Sequence, residues 1–137
     1  MPPAGERKLN ELYNKETGRC FNHNIHSVRV LNTIFPLNMS LQTLDGIMCH
    51  NGEILSNIYI PEEKTKEEFL REFNDSYTNY NETKKHHPMT LEGCVVRIGD
   101  IIGYIGRDLE DAIEVEKISK NIIPFSIKDI LGNNNRE

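Results

Sequence analysis

The sequence has 137 residues and 16 basic against 21 acidic side chains, for a formal net charge of −5; this length suits one domain, and the charge gives no basic footprint for nucleic acid. Hydrophobic residues make up 37% and charged residues 27%, which fits a folded globular chain and argues against disorder. Cys20, Cys49 and Cys94 form no CxxC pair, the N-terminus MPPAGERKLN carries no apolar run, and no stretch of about 18 apolar residues occurs, so a disulfide framework, a secretory leader and a membrane-spanning helix are not expected and the protein reads as cytoplasmic.

Helical periodicity dominates from the start. GERKLNELYNK sets Leu9, Leu12 and Tyr13 on one side of a first helix. HNIHSVRVLNTIF sets Ile25, Val28, Leu31 and Phe35 on one face of a second, which Pro36 stops. Ser40 is the expected N-cap of LQTLDGIMCH, with Asn51-Gly52 as its stop. Asp45, inside that helix, reads as structural. SNIYIPEE is an extended connection. KTKEEFLREFNDSYTNY is amphipathic, with Phe69, Leu70, Phe73 and Tyr77 on the buried side. NETKKHHP reads as a polar loop in which His86 and His87 face solvent. Thr90 is the expected cap of a long helix over residues 91–115. IIPFS leaves that helix, Ser126 caps a short IKDIL turn, and Gly132 closes it. No strand pattern is present, so the fold class is all-α.

The long helix sorts into three faces at about 100° per residue. Asp100, Arg97, Tyr104, Arg107, Asp108 and Asp111 share a polar face. Ile98, Ile101, Ile102, Ile105, Leu109, Ala112 and Ile113 form an apolar one. Gly99, Gly103 and Gly106 form a stripe, each costing a helix about 1 kcal/mol against Ala. A stripe of that kind is expected to pack against another helix backbone, where Gly103→Leu would overpack. Cys20, His23 and His26 recur at i, i+3 and i+6, with Cys49-His50 later, a spacing unlike that of zinc fingers. On this reading His26 and His50 are ordinary polar or packing histidines.

The blocks FNHNIHSVRVL, LDGIMCHNGE and VVRIGDIIGYIGRDLEDAI, in that order, resemble successive segments of the HD-domain phosphohydrolases, in particular the deoxyguanosinetriphosphate triphosphohydrolase-like branch. AGERKLNELY resembles the segment in which that family's Gly-His-x-Gly-Glu leads into a helix. The resemblance implies a helical bundle and a divalent metal held by a His, an adjacent His-Asp pair and a later Asp. It implies cleavage of a deoxynucleoside triphosphate into deoxynucleoside and triphosphate. By the same resemblance Asp100 is the later metal ligand, and Tyr104 and Asp108 contact the deoxyribose. Arg107 pairs with an Asp or touches phosphate. His23 approaches the phosphates, and Glu6 supports the catalytic His of the Gly-His-x-Gly-Glu segment. The family often forms homo-oligomers.

The sequence also departs from that pattern. It holds no His-Asp dipeptide and no His before His23, and Met1-Pro2-Pro3 stand where the family has Phe-Gly-His. The expectation is therefore a partial HD domain over residues 1–137, lacking the N-terminal His and His-Asp motifs and C-terminal helices. Such a chain would bind the divalent metal poorly, since a lone carboxylate is not a site, and would be inactive by itself. The alternative is a non-catalytic module of the same lineage that binds nucleotide or regulates a partner.

Overall fold

Every regular element among the described residues is helical. The computed structural model describes residues 4–51, 58–119, 121 and 123–131. The chain divides into two compact units, Met1–Ile98 and Gly99–Glu137.

Local chemistry sets most boundaries in the first unit. Helix α1 (Ala4–Thr17) ends on Gly18, whose φ of 69° lies in the left-handed region and whose N–H donates to the Asn14 carbonyl at 2.8 Å. Helix α2 (His23–Arg29) runs into a π-helical turn, Val30–Ile34, in which Phe35 N–H donates to the Val30 carbonyl at 2.7 Å. That wider turn shifts the helical register. Ile25 and Val28 are buried as their spacing predicts, but Phe35 is carried off their face and is 65% exposed.

Helix α3 (Leu41–Cys49) is capped by Ser40, whose side chain accepts from Thr43 N–H. Helix α4 (Lys66–Asp75) opens with a capping box. Thr65 Oγ1 accepts from Glu68 N–H, and the Glu68 carboxylate accepts from Thr65 N–H. In helix α5 (Leu91–Glu114), Thr90 Oγ1 accepts from Gly93 N–H, as expected of a cap. Helix α6 (Phe125–Leu131) begins one residue before the expected cap, so Ser126 lies inside it. Gly52 and Gly132 fall outside the described residues.

The core of the first unit lies where α2 and α3 pack together and α4 closes over them. Ile25, Val28, Leu44, Met48, Cys49 and Phe69 are buried, with Met39, Leu41, Ile47, Phe73 and Tyr77 against them. Each fully buried large side chain of this kind contributes about 1.5–3 kcal/mol. Leu70, expected on this face, is exposed instead.

Two further expectations are corrected. The NETKKHHP stretch contains a 3-10 turn, Glu82–Lys85, and its His86 is buried at 3% exposure with no hydrogen-bond partner on either ring nitrogen among the described residues. His86 is drawn in because its carbonyl accepts from Arg97 Nη1 at 2.7 Å, which ties the segment to the first turns of α5. The glycine stripe is the second. Among the described residues a Cβ built at Gly99 or Gly103 meets no atom within 4 Å, so neither backs onto another described helix. The glycine that permits close approach is Gly93, where a Cβ would lie 2.7 Å from the Pro88 Cβ and 3.7 Å from the Gly46 Cα.

A buried polar cluster stands beside the core. Asp45 Oδ1 accepts from Lys64 Nζ at 3.1 Å, its Oδ2 accepts from Met89 N–H at 2.6 Å, and Lys64 Nζ also donates to Glu72 Oε2 at 2.8 Å. Cys49 Sγ lies 3.6 Å from Asp45 Oδ1. Asp45 is structural, as read from the sequence, but it links segments 44 residues apart rather than capping its own helix.

Candidate functional site: a carboxylate and two histidines in line

Three segments of the first unit converge at one point. Glu6 sits in the first turn of α1, His23 is the first residue of α2, and His50 caps the C-terminal end of α3. The start of α2 leaves backbone N–H groups without helical acceptors, and its N-cap, Asn22, makes no side-chain cap bond. Helix α1 supplies acceptors instead. Asn10 Oδ1 accepts from Phe21 N–H at 2.7 Å, and Glu6 Oε1 accepts from His23 N–H at 3.0 Å.

The same Glu6 oxygen lies 3.0 Å from His23 Nδ1, so one carboxylate fixes both the backbone and the ring of His23. Glu6 is largely buried, whereas the His23 side chain is 43% exposed. On its other side, His23 Nε2 lies 3.2 Å from His50 Nε2, with the rings inclined at 70°. His50 Nδ1 lies 2.7 Å from the Ile47 carbonyl one turn back. Beneath the pair, Asn24 Nδ2 donates to the Met48 carbonyl, joining α2 to α3.

This arrangement can orient an imidazole, hold its Nδ1–H on a carboxylate and present Nε2 on the opposite side, beside the Nε2 of His50. Glu6 and His23 are brought together. His50, read from the sequence as an ordinary polar or packing residue, joins them. Its only local signal is its place just past a helix end, where an imidazole can reach back to a terminal carbonyl.

Asp100, Tyr104, Arg107 and Asp108 lie on α5 within the second unit. Asp100 is half-buried and Tyr104, Arg107 and Asp108 are exposed. None of the four side chains makes a hydrogen bond or ion pair among the described residues. Cys20, His26 and Cys49 do not assemble into a zinc site. Among the described residues no group of three or more His, Cys, Asp or Glu side chains is placed to hold a metal. A cleft of about 380 Å³ lined by Arg19, Arg29, Phe73 and Tyr77 contains neither Glu6 nor His23 nor His50, so it brings no catalytic group with it. No helix among the described residues is long and apolar enough to cross a membrane.

The fold and site thus define an all-α chain with a carboxylate-anchored histidine at a helix start. Proteins named deoxyguanosinetriphosphate triphosphohydrolase-like protein are similar to this chain over most of its length. One from Clostridium tetani is 31% identical across 98% of the chain and 31% of its own length. One from Desulfatibacillum aliphaticivorans is 29% identical across 98% of the chain and 32% of its own length. One from Rickettsia bellii is 29% identical across 86% of the chain and 29% of its own length. The chain spans about a third of the length of these curated relatives. No family model matches the chain, and no solved structure matches it significantly.

Proposed function

We propose that the chain serves a phosphohydrolase of the deoxynucleoside triphosphate triphosphohydrolase type, cleaving a deoxynucleoside triphosphate into deoxynucleoside and triphosphate. The observation that carries this reading is the Glu6–His23 pair. Both residues were assigned by resemblance alone, from segments 17 residues apart, and they meet through one carboxylate oxygen at 3.0 Å from both nitrogens. The similarity to relatives that bear the triphosphohydrolase-like name supports it.

In this reading Glu6 holds the Nδ1–H of His23 and leaves the Nε2 lone pair free to take up a proton at the substrate. Tyr104 and Asp108 face the deoxyribose, and Arg107 faces phosphate or pairs with a carboxylate. Asp100 is one ligand of a divalent ion that the resemblance implies. The residues at hand do not fit that ion: among the described residues Asp100 belongs to no group of three or more His, Cys, Asp or Glu side chains placed to hold a metal. The remaining ligands would come from a His and a His-Asp pair that this sequence does not contain. The chain by itself is accordingly inactive in this reading.

The test is a fusion that places a segment bearing a His and a His-Asp pair before residue 4. Metal-dependent release of inorganic triphosphate from dGTP is expected in the fusion, none from the 137-residue chain alone, and none from fusions carrying His23→Ala or Asp100→Asn. A folded fusion that binds dGTP without hydrolysing it would replace this reading with the non-catalytic alternative.

A further inference from the structure

We propose that His23 and His50 form a two-imidazole chelate for a transition-metal ion, with no third side-chain ligand placed for it among the described residues. Hydrogen-bond chemistry leads there first. The Ile47 carbonyl only accepts, so the His50 Nδ1 that faces it at 2.7 Å carries its hydrogen. The Glu6 carboxylate only accepts, so His23 Nδ1 carries its hydrogen as well. Two neutral rings fixed in this way expose bare lone pairs on their Nε2 atoms. Those two atoms face each other at 3.2 Å. Two lone pairs so placed repel, and a cation between them removes the repulsion.

The distance matches a metal. Two imidazole nitrogens, each about 2.0–2.1 Å from one ion and set at the tetrahedral angle, lie about 3.3 Å apart. The surroundings match too. Ligating histidines characteristically donate their other N–H to a carboxylate or a backbone carbonyl, and here Glu6 and Ile47 supply one of each. The spacing is preorganised, because the buried Ile25, Met48 and Cys49 and the Asn24–Met48 bond lock α2 against α3 directly beneath the pair. The exposed part of His23 gives an ion an entry path.

Imidazole donors select nickel, cobalt, copper or zinc over magnesium or calcium. With no third side chain in place among the described residues, water or anionic oxygens complete the shell and the site stays open. A single proton shared between the two Nε2 atoms is the competing occupant.

The untagged chain is titrated with Ni²⁺ by calorimetry and with Co²⁺ by visible absorption, with ring ¹⁵N–¹H spectra recorded in parallel. One ion per chain is expected, with the Nε2 signals of His23 and His50 the first to broaden and Mg²⁺ without effect. His50→Gln should remove the transition, Glu6→Gln should weaken it about tenfold, and His87→Ala, on an exposed loop residue, should leave it in place. The wild-type spectra need no variant to fold. Broadening that begins at other histidines, unchanged Ni²⁺ affinity in His50→Gln, or a shared Nε2 proton that persists while no metal binds would each overturn the proposal.

Discussion

Replacing Asp45 with alanine should destabilise the first unit by about 3–4 kcal/mol. Asp45 is 1% exposed and the Lys64 side chain 3% exposed, so the substitution strands an ammonium where water cannot reach it. Removing one partner of a buried ion pair costs about 3–5 kcal/mol. The lower part of that range applies, because Lys64 keeps Glu72 at 2.8 Å and Glu72 remains partly solvated. Loss of the acceptor for Met89 N–H, now at 2.6 Å, adds about 1 kcal/mol. Against a total stability of about 5–15 kcal/mol, that is a large fraction. Urea unfolding followed by far-UV circular dichroism measures it as a lower midpoint at unchanged slope. The paired replacement Asp45→Leu with Lys64→Met should recover most of the loss, since an apolar pair of similar volume carries no stranded charge. A loss below about 1 kcal/mol in Asp45→Ala, the level of an exposed ion pair, would refute the reasoning.

Stability should also fall on both sides of a pH plateau. Burial, reinforced by the charge of Asp45, pushes the Cys49 thiol far above its ordinary 9.0. Above about pH 9 the unfolded chain therefore sheds a proton that the folded chain keeps, and stability drops by about 1.4 kcal/mol per pH unit. For Lys64, burial opposes the ammonium, but the bond to Glu72 and the charge of Asp45 outweigh it and raise the group above its usual 10.5. Its contribution is full below that value and disappears as pH rises through the folded one. Burial pulls His86 below 6.5 against the opposing charge of Glu72, so below pH 6.5 the unfolded chain gains a proton that the folded chain resists. Urea midpoints should be level between about pH 6.5 and 9 and decline outside; Cys49→Ala should flatten the alkaline limb and His86→Leu the acid one. A midpoint that stays constant from pH 7 to 10.5 would contradict this. On α5, Gly99→Ala and Gly103→Ala should each stabilise by about 1 kcal/mol, a rise of about 3–5 °C in Tm. Gly93→Ala should lower Tm because its Cβ meets Pro88.

What the sequence determined by itself is what local chemistry encodes. The all-α class, the caps Ser40 and Thr90, and the span of the long helix, expected at 91–115 and found at Leu91–Glu114, all rest on spacings of three or four residues that one short segment contains. Ile25 and Val28 were legible for the same reason. Phe35 was not, because the π-helical turn after Arg29 changes the period partway along the face and no residue between announces it. Glu6 and His23 reached the candidate site through family resemblance; nothing in their own segments links a first-turn carboxylate to a histidine 17 residues later. His50 was missed, since its partner lies 27 residues away and a histidine after a helix end looks the same whether it meets solvent or another imidazole. The glycine stripe and His86 failed in opposite directions for one cause. Helical spacing sorts residues into faces but does not say which face a neighbour covers. Only the packing of distant segments left Gly99 and Gly103 open, pressed Gly93 against Pro88, and drew His86 inward behind Arg97.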